Sequence, residues 1–517
     1  MTPPVSEPVP PLAFDRPYAQ LTEHLVSEKV DVTEELLAEL AGCCALETDV
    51  ASLAEHGRDW WPLSLHWALR GEVPSLPAVV ARPKDASEVA ALLRVCNRAG
   101  LPVTPAGGRS GVCGGAVPVF GGLVVDCCEL APPLLVDDAS LLVDVGAGMF
   151  GPELEATLRE SHGLSLGHFP QSIELSTLGG WIACRGAGQY STRYGKIEDM
   201  VAGLEVVLAD GTVVRTGAMA GAGPRSAMGP DLTQIFVGSE GTLGLITAAR
   251  LRVHPAPPAE QRAAFGFPRF ADGLEALRRT LRRGATPAVV RLYDAGESER
   301  NFELAGTALL IALDEGDPAV VEASISILSE ESARAGASVL DEALVERWLT
   351  RRNDVSVLEA VTRAGIVVDT VEVAGPWSTL EALYDEAVDN LSGLDGCLAA
   401  SAHQSHAYAD GACLYFTFAG RSREQGDDRA RDAAWAESFY ERAWSALMAV
   451  TRRHGASISH HHGIGLVRAA YLPAALGNGF GVLAALKAAL DPLGILNPGK
   501  LALPSPFGGS AWGAALK

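Results

Sequence analysis

Hydrophobic positions along the chain follow two periods, and the switches between them mark out its elements. Ala78-Val79-Val80-Ala81-Arg82-Pro83 is a short β-branched run, and over 85–99 Ala, Val and Leu recur at helical spacing, which predicts a strand and then a helix. Further short strands are predicted over 102–105, 123–126, 141–145, 204–208, 213–214 and 243–253, separated by glycines and by turns such as Asp210-Gly211. After His254-Pro255-Ala256-Pro257-Pro258 strands over 288–293 and 308–313 alternate with helices over 271–283 and 319–335. Upstream, residues 32–41 read as a helix with Thr33 as cap and Glu34 and Glu35 in its first turn. The pattern divides the chain into an accessory arm over 1–75, an α+β unit over 76–258, a second α+β unit over 259–450 and a closing segment over 451–517. The charged, glycine-containing stretch 420–432 is expected as a mobile surface loop, and the turn-rich 491–500 follows a last helix.

Composition narrows the classes. The chain has 517 residues, 48% apolar and 20% charged, enough for roughly three folding units of about 150 residues each. With 41 basic against 63 acidic side chains its formal charge is −22, which repels a phosphodiester backbone and speaks against nucleic acid as a partner. An anionic cofactor then has to be held by backbone amides and a few placed cations. The nine cysteines are odd in number and show no C-x-x-C spacing, so they read as reduced thiols of a cytosolic protein. No apolar run of about 18 residues occurs, which predicts no integral membrane segment. The start, with Pro at 3, 4, 8, 10 and 11, has no signal pattern, and the final Ala-Ala-Leu-Lys is no peroxisomal address. The expectation is a cytoplasmic location and a small-molecule substrate, with a homodimer possible.

Three glycine-bearing segments carry candidate chemistry. Pro105-Ala106-Gly107-Gly108-Arg109-Ser110-Gly111 opens a loop between two predicted strands, with no helix at its third glycine, so the dinucleotide fingerprint of a Rossmann domain does not apply. Such a loop can turn several N–H groups onto one diphosphate; a plain surface turn would use the same glycines. The second runs Gln171-Ser172-Ile173-Glu174-Leu175-Ser176-Thr177, then Gly179-Gly180-Trp181 and Cys184-Arg185-Gly186-Ala187. The third is Glu240-Gly241-Thr242-Leu243-Gly244-Leu245-Ile246.

In that order the three segments resemble the FAD-binding, PCMH-type domain of the vanillyl-alcohol-oxidase superfamily, which includes D-lactate and glycolate dehydrogenases. Gly167-His168-x-Pro170, Tyr194-Gly195-x-Ile197-Glu198-Asp199, Val290-Arg291-Leu292 and Ser459-His460-His461-His462-Gly463-Ile464-Gly465 are similar, more narrowly, to the alkyl-dihydroxyacetonephosphate synthases. The resemblance implies an α+β protein: a two-subdomain FAD-binding domain plus an α+β cap domain. It implies the three glycine segments as the FAD shell, and noncovalent FAD, because Ser110 stands where relatives with covalent flavin carry histidine.

It also implies a catalytic group of Tyr415, His460, His461, His462 and Arg291, with Tyr415 as general acid and base, its pKa lowered by a neighbouring positive charge such as Arg291. On their own, the three adjacent imidazoles make an awkward metal site, and Gly463 and Gly465 suggest close approach of backbone to a ligand. His403 and His406 lack a carboxylate at fixed spacing, so no metal is expected. One departure stands out. Counting back from Glu372-Val373-Ala374-Gly375-Pro376-Trp377, the synthases' phosphate-binding arginine is replaced by Leu358, leaving Arg352 or Arg363 as substitutes. The implied activity is oxidation of a 2-hydroxy acid or related alcohol, or the synthases' redox-neutral exchange of acyl for alkyl chain in ether lipid synthesis.

Overall fold

The computed structural model describes residues 10, 12–25, 27–132, 134–422, 429–509 and 512. Helix α1 (Glu34–Ala41) starts as the sequence predicts, Thr33 accepting the Leu36 N–H. Strand β1 (Ala45–Glu47), helix α2 (Pro62–Ala68), β2 (Val79–Arg82), helix α3 (Ala86–Ala99), β3 (Val103–Ala106) and β4 (Leu123–Asp126) follow. The four strands form a sheet in the order β1-β2-β4-β3, parallel at both β4 pairings and antiparallel at β1. Parallel strands are covered on both faces, which is why β2 and β4 read as continuous apolar runs. Asp85 caps α3, whose Val89, Leu92, Leu93 and Cys96 pack on Val79, Val103 and Leu123.

A second, antiparallel sheet has the order β8-β7-β9-β6-β5, from β5 (Leu135–Asp137), β6 (Leu142–Gly146), β7 (Val201–Val207), β8 (Val213–Arg215) and β9 (Leu245–Arg252), with helix α4 (Leu178–Cys184) against it. Then comes a seven-stranded antiparallel sheet of β10 (Ala259–Phe267), β11 (Val289–Tyr293), β12 (Ala308–Gly316), β13 (Ser338–Leu340), β14 (Val367–Pro376), β15 (Cys397–Ala407) and β16 (Gly411–Gly420). Its order is β13-β10-β12-β11-β15-β16-β14. Helices α5 (Phe270–Arg282), α6 (Ala295–Phe302), α7 (Pro318–Arg334), α8 (Ala343–Arg351), α9 (Val357–Arg363), α10 (Leu380–Ser392) and α11 (Arg429–Arg453) belong to this unit. The architecture is α+β, as the resemblance implies.

The large sheet is two-faced because its strands alternate. Val290, Leu292, Val371, Val373, Leu414, Phe416 and Phe418 are buried in one core with Leu274 of α5, Leu383 of α10 and Phe439 of α11. Between them on the opposite face stand Arg291, Tyr293, Glu372, Tyr415 and Thr417, so the period of two separates structure from chemistry.

After α11 the chain pairs Ser457 with Ala374, runs through helix α12 (Gly479–Leu490) and lays Leu496 beside Val103. Two expectations need correction. The described residues of the first 75 are no accessory arm: β1 extends the first sheet, Thr22–Glu23 pairs with Glu72–Val73, and α2 packs into the interior with Leu63, Leu65 and Trp67 buried. Of the loop expected over 420–432, Gly420 closes β16 and residue 429 begins α11, while 423–428 lie outside the described residues, as do Pro3, Pro4, Pro8, Pro11 and the last five residues.

Lys487 of α12 fastens the tail, its Nζ donating to Asp491 Oδ2 at 2.5 Å and to the Thr242 and Leu496 carbonyls at 2.9 and 2.7 Å. Lys487→Ala removes the cation from a buried carboxylate, and urea unfolding should register a loss of about 3 kcal/mol. An unchanged midpoint would mean that the tail is held by other contacts.

Candidate active site

A cavity of about 780 Å³ is lined on one side by the glycine segments and on the other by the polar face of the large sheet. At the glycine end the chain leaves no room for side chains. A Cβ on Gly107 would lie 2.3 Å from Thr177 Oγ1, and one on Gly108 would lie 1.9 Å from the Leu175 carbonyl oxygen. The loop thus lies directly on the second segment, whose Thr177 caps α4 by accepting the Gly180 N–H. Arg109, at φ 54°, is buried with Nε and Nη1 unpartnered. A flattened backbone cradle with an orphaned guanidinium fits an anionic cofactor.

All of Pro105 to Gly111 line this end, with Gln171, Ser172, Leu175, Ser176, Thr177, Cys184, Gly186, Ala187, Glu240, Gly241, Gly244, Leu245 and Ile246. Five expected residues do not: Leu243 and Ile173 pack in the second sheet's core, Thr242 bonds the Ser239 carbonyl, Arg185 pairs with Glu198, and Glu174 is exposed. Sequence reasoning missed Asp59, Trp60, Pro62, Leu65 and His66, which line the cavity from the amino-terminal segment. The aromatic pair ahead of a proline-started helix, Asp59-Trp60-Trp61-Pro62, was the available signal.

Across the cavity, strand register aligns the chemistry. Tyr293 faces His403, His403 faces Tyr415, and Tyr415 faces Glu372, a row across four adjacent strands. The His403 and Tyr415 rings stack at 5.1 Å. Glu372 is fully buried against Arg468, and its Oε1 accepts the N–H groups of His460, His461 and His462 at 3.2, 2.9 and 2.6 Å. Burial opposes ionisation, but Arg468 holds the carboxyl at about 2. The histidine run is thereby fixed, and His462 Nε2 lies 2.8 Å from Tyr415 Oη. Gly463 and Gly465 do mark a close approach, to Glu240 and the Cys113 carbonyl, and Gly465 also lines the cavity: Glu240 accepts the Ile464 and Gly465 N–H groups.

Of the three consecutive histidines, His461 and His462 line the cavity and His460 does not. His460 sits behind them, stacked on His406, its Nε2 3.1 Å from Tyr408 Oη and its carbonyl accepting from Lys196. A register shift between Gln404 and His406 lets residues three apart both turn to this face. One ring nitrogen each of His406, His460 and His461 falls within a 4.8 Å group. The same rings bond locally, His460 Nδ1 with His461 Nδ1 at 2.8 Å and His406 Nδ1 with Ser191 Oγ at 2.8 Å. Burial, with Lys196 adding to it, holds His460 down at about 3.

Arg291 does not reach Tyr415. It donates to Tyr293 Oη at 3.0 Å and to His403 Nε2 at 2.6 Å, so His403 carries its proton on Nδ1 toward Glu297 Oε2, 2.7 Å away. The expected lowering of the Tyr415 pKa is therefore corrected: burial pushes the phenol up, with the Glu372 carboxylate adding to it. Leu358 lines the cavity, as does Arg352, whose guanidinium lies over Tyr190 and Trp348 at 5.4 Å with Nη1 unpartnered. Arg363 points elsewhere, to Glu359 and Asp15.

Two family models match the chain: an FAD binding domain over residues 77–217, and the C-terminal domain of FAD linked oxidases over residues 256–501. The alkyldihydroxyacetonephosphate synthase of Dictyostelium discoideum is 30% identical over 470 residues, covering 83% of this chain and 74% of that protein. The glycolate oxidase subunit GlcD of Bacillus subtilis is 28% identical over 440 residues, covering 83% and 89%. A solved alkyldihydroxyacetonephosphate synthase superposes with a TM-score of 0.76 at 26% identity, covering 96% of this chain and 91% of that one. FAD is the cofactor, and the glycine cradle fits it.

A Cβ at Gly108 has nowhere to go, whereas Gly115 has no atom within 4 Å of its Cβ position. Gly108→Ala should purify without the yellow flavin absorbance and Gly115→Ala should keep it. Retained flavin in the first would move the cofactor away from this loop.

Proposed function

The chain belongs to the FAD-linked oxidases, and on that premise we propose that it oxidises a small anionic alcohol, a 2-hydroxy acid or close relative. The reading rests on the Tyr415–His462 pair standing in one cavity with Arg291 and Arg352, two guanidiniums with no carboxylate partner among the described residues. They flank Trp348, at 5.7 and 5.4 Å from its ring. Planar guanidiniums suit a carboxylate, and an aromatic between them supplies the apolar wall.

When bound, FAD supplies the sink for the two electrons that leave the substrate carbon as hydride. The protein's share is the proton. Burial keeps Tyr415 a neutral phenol, and burial first of all keeps His462 below its ordinary value, opposed by Glu372. Tyr415 can thus take the substrate hydroxyl proton while passing its own to His462 Nε2, and the imidazolium so formed sits 3.9 Å from Glu372 Oε2. Ser110 in place of a histidine supports noncovalent FAD, and nine unpaired thiols support a cytoplasmic location.

The second reading is the redox-neutral acyl-to-alkyl exchange of the synthases, favoured by Tyr415 and the histidine run. Leu358 weakens it, because a phosphate facing leucine loses a charge-assisted bond. Arg352 is the cation that could take over, since Arg363 is engaged outside the cavity.

The visible spectrum of the anaerobic holoenzyme separates the two. Bleaching of the flavin band by 2-hydroxy acids supports oxidation; a band shifted by long-chain acyl-dihydroxyacetone phosphate but bleached by no hydroxy acid supports exchange. Silence to both classes overturns both. Tyr415→Phe should retain flavin and slow reduction by about 10²-fold or more; full-rate reduction would remove Tyr415 from the reaction. Arg352→Met should raise KM about tenfold with a smaller change in kcat, as for a lost charge-assisted bond. An unchanged KM would leave the substrate anion to Arg291.

A further inference from the structure

The glycine loop has two halves. Residues 105–111 line the cavity and lie at Gly107 and Gly108 on the second segment, while 112–117, which reach the cavity at Val112, Cys113, Gly115 and Ala116, are pinned from other parts of the chain. Leu466 N donates to the Cys113 carbonyl at 2.7 Å, Asn497 Nδ2 to Gly115 O at 3.1 Å and Lys500 Nζ to Val117 O at 2.7 Å. The remaining restraint comes from the amino-terminal segment. Trp60 N donates to the Gly111 carbonyl at 2.9 Å, at the junction of the halves. Asp59 Oδ1 accepts the Trp61 N–H at 3.1 Å, and its carboxyl sits in the field of Lys500.

Both residues also line the cavity, and each keeps a buried polar atom without a partner, Oδ2 of Asp59 and Nε1 of Trp60. Buried donors and acceptors are nearly always satisfied, so two orphans on one cavity wall indicate groups that a ligand completes. The next residue faces the other way: Trp61 Nε1 donates to Tyr440 Oη at 3.1 Å, and Tyr440 donates to Asp369 of β14 at 2.7 Å. Trp61 is an anchor to the cap, whereas Asp59 and Trp60 stand on the cofactor loop.

We propose that Asp59 and Trp60 are part of the cofactor site, setting the conformation of the glycine loop and offering the Trp60 indole N–H and the free Asp59 oxygen to FAD. The segment ahead of the FAD-binding domain is then required for flavin retention. Burial pushes the Asp59 carboxyl up to about 7, so near neutrality it can present a proton as well as accept one.

The test is to dilute purified holoenzyme stepwise and follow flavin release by its fluorescence, with the thermal midpoint of each variant measured alongside. Asp59→Asn and Trp60→Phe should each weaken FAD binding about tenfold, the loss of one buried hydrogen bond. Trp61→Phe, which breaks the anchor and thins the packing on Trp67, should lower the midpoint and leave FAD affinity within about twofold. FAD held as tightly by both variants as by the parent overturns the proposal, and so does a loss of FAD in Trp61→Phe equal to theirs. Should Asp59→Asn fail to fold, Trp60→Phe, which keeps an aromatic ring, decides alone by the same two outcomes.

Discussion

A carboxylate and a guanidinium meet with no access to solvent at the centre of this molecule, and the candidate site hangs on that pair. Taking Glu372 and Arg468 out of water costs several kcal/mol per ion, and their attraction offsets this only if the remaining polar atoms are also satisfied. All but Arg468 Nε are satisfied, chiefly by the chain that carries the histidines. Glu372 Oε1 accepts three successive amides and the Ser459 hydroxyl, while Arg468 also donates to the Gly463 carbonyl. Residues 459–463 cannot move without stranding a buried charge. Because Glu372 is in register with Tyr415, the pair also ties the tail to the sheet and brings His462 onto the phenol.

The same sheet explains why a reactive cluster can sit over a tight core. Leu414, Phe416 and Phe418 point into the helices, and Tyr415 and Thr417 therefore point the other way with no further device. The exception is informative. His403 and His406 are three apart, an odd spacing that a regular strand would send to opposite faces, and the shift in β15 brings both to the cavity. Their roles then diverge: His403 orders Arg291 through a proton shared with Glu297, and His406 packs behind His461.

How far the sequence could be read depended on the range of the interaction. The strand and helix series of the FAD-binding domain was legible because its signals are local: a capping Asp85 before a periodic run, β-branched stretches between glycines. The glycine segments were legible for the same reason, though only as segments. In the second and third, two adjacent residues turn away from the cavity, so that Leu243 and Ile173 fell in the core while residues on either side lined the cavity. What escaped was long-range. Asp59 and Trp60 meet the loop some fifty residues on, Glu297 meets His403 more than a hundred on, and neither pairing leaves a mark in local periodicity. The electrostatics of Tyr415 escaped too, since a phenol's environment is set by strands that only the fold brings together.

The overall charge of −22 sharpens the meaning of the cations that the fold leaves unpaired. In an acidic protein a guanidinium readily finds a carboxylate, and Arg58, Arg82, Arg193, Arg250 and Arg468 have done so. Arg109 at the cofactor end, and Arg291 and Arg352 at the other, have not. An unsatisfied buried donor costs about 1–3 kcal/mol, so holding Arg109 and Arg352 ready lowers the stability of the ligand-free protein. Bound anions relieve that cost, and the relief appears as affinity rather than as new structure. Two such positions in one cavity, one beside the glycine cradle and one beside Tyr415 and His462, put a cation in place at either end of it. The net charge of −22 works against anions that the cavity does not fit.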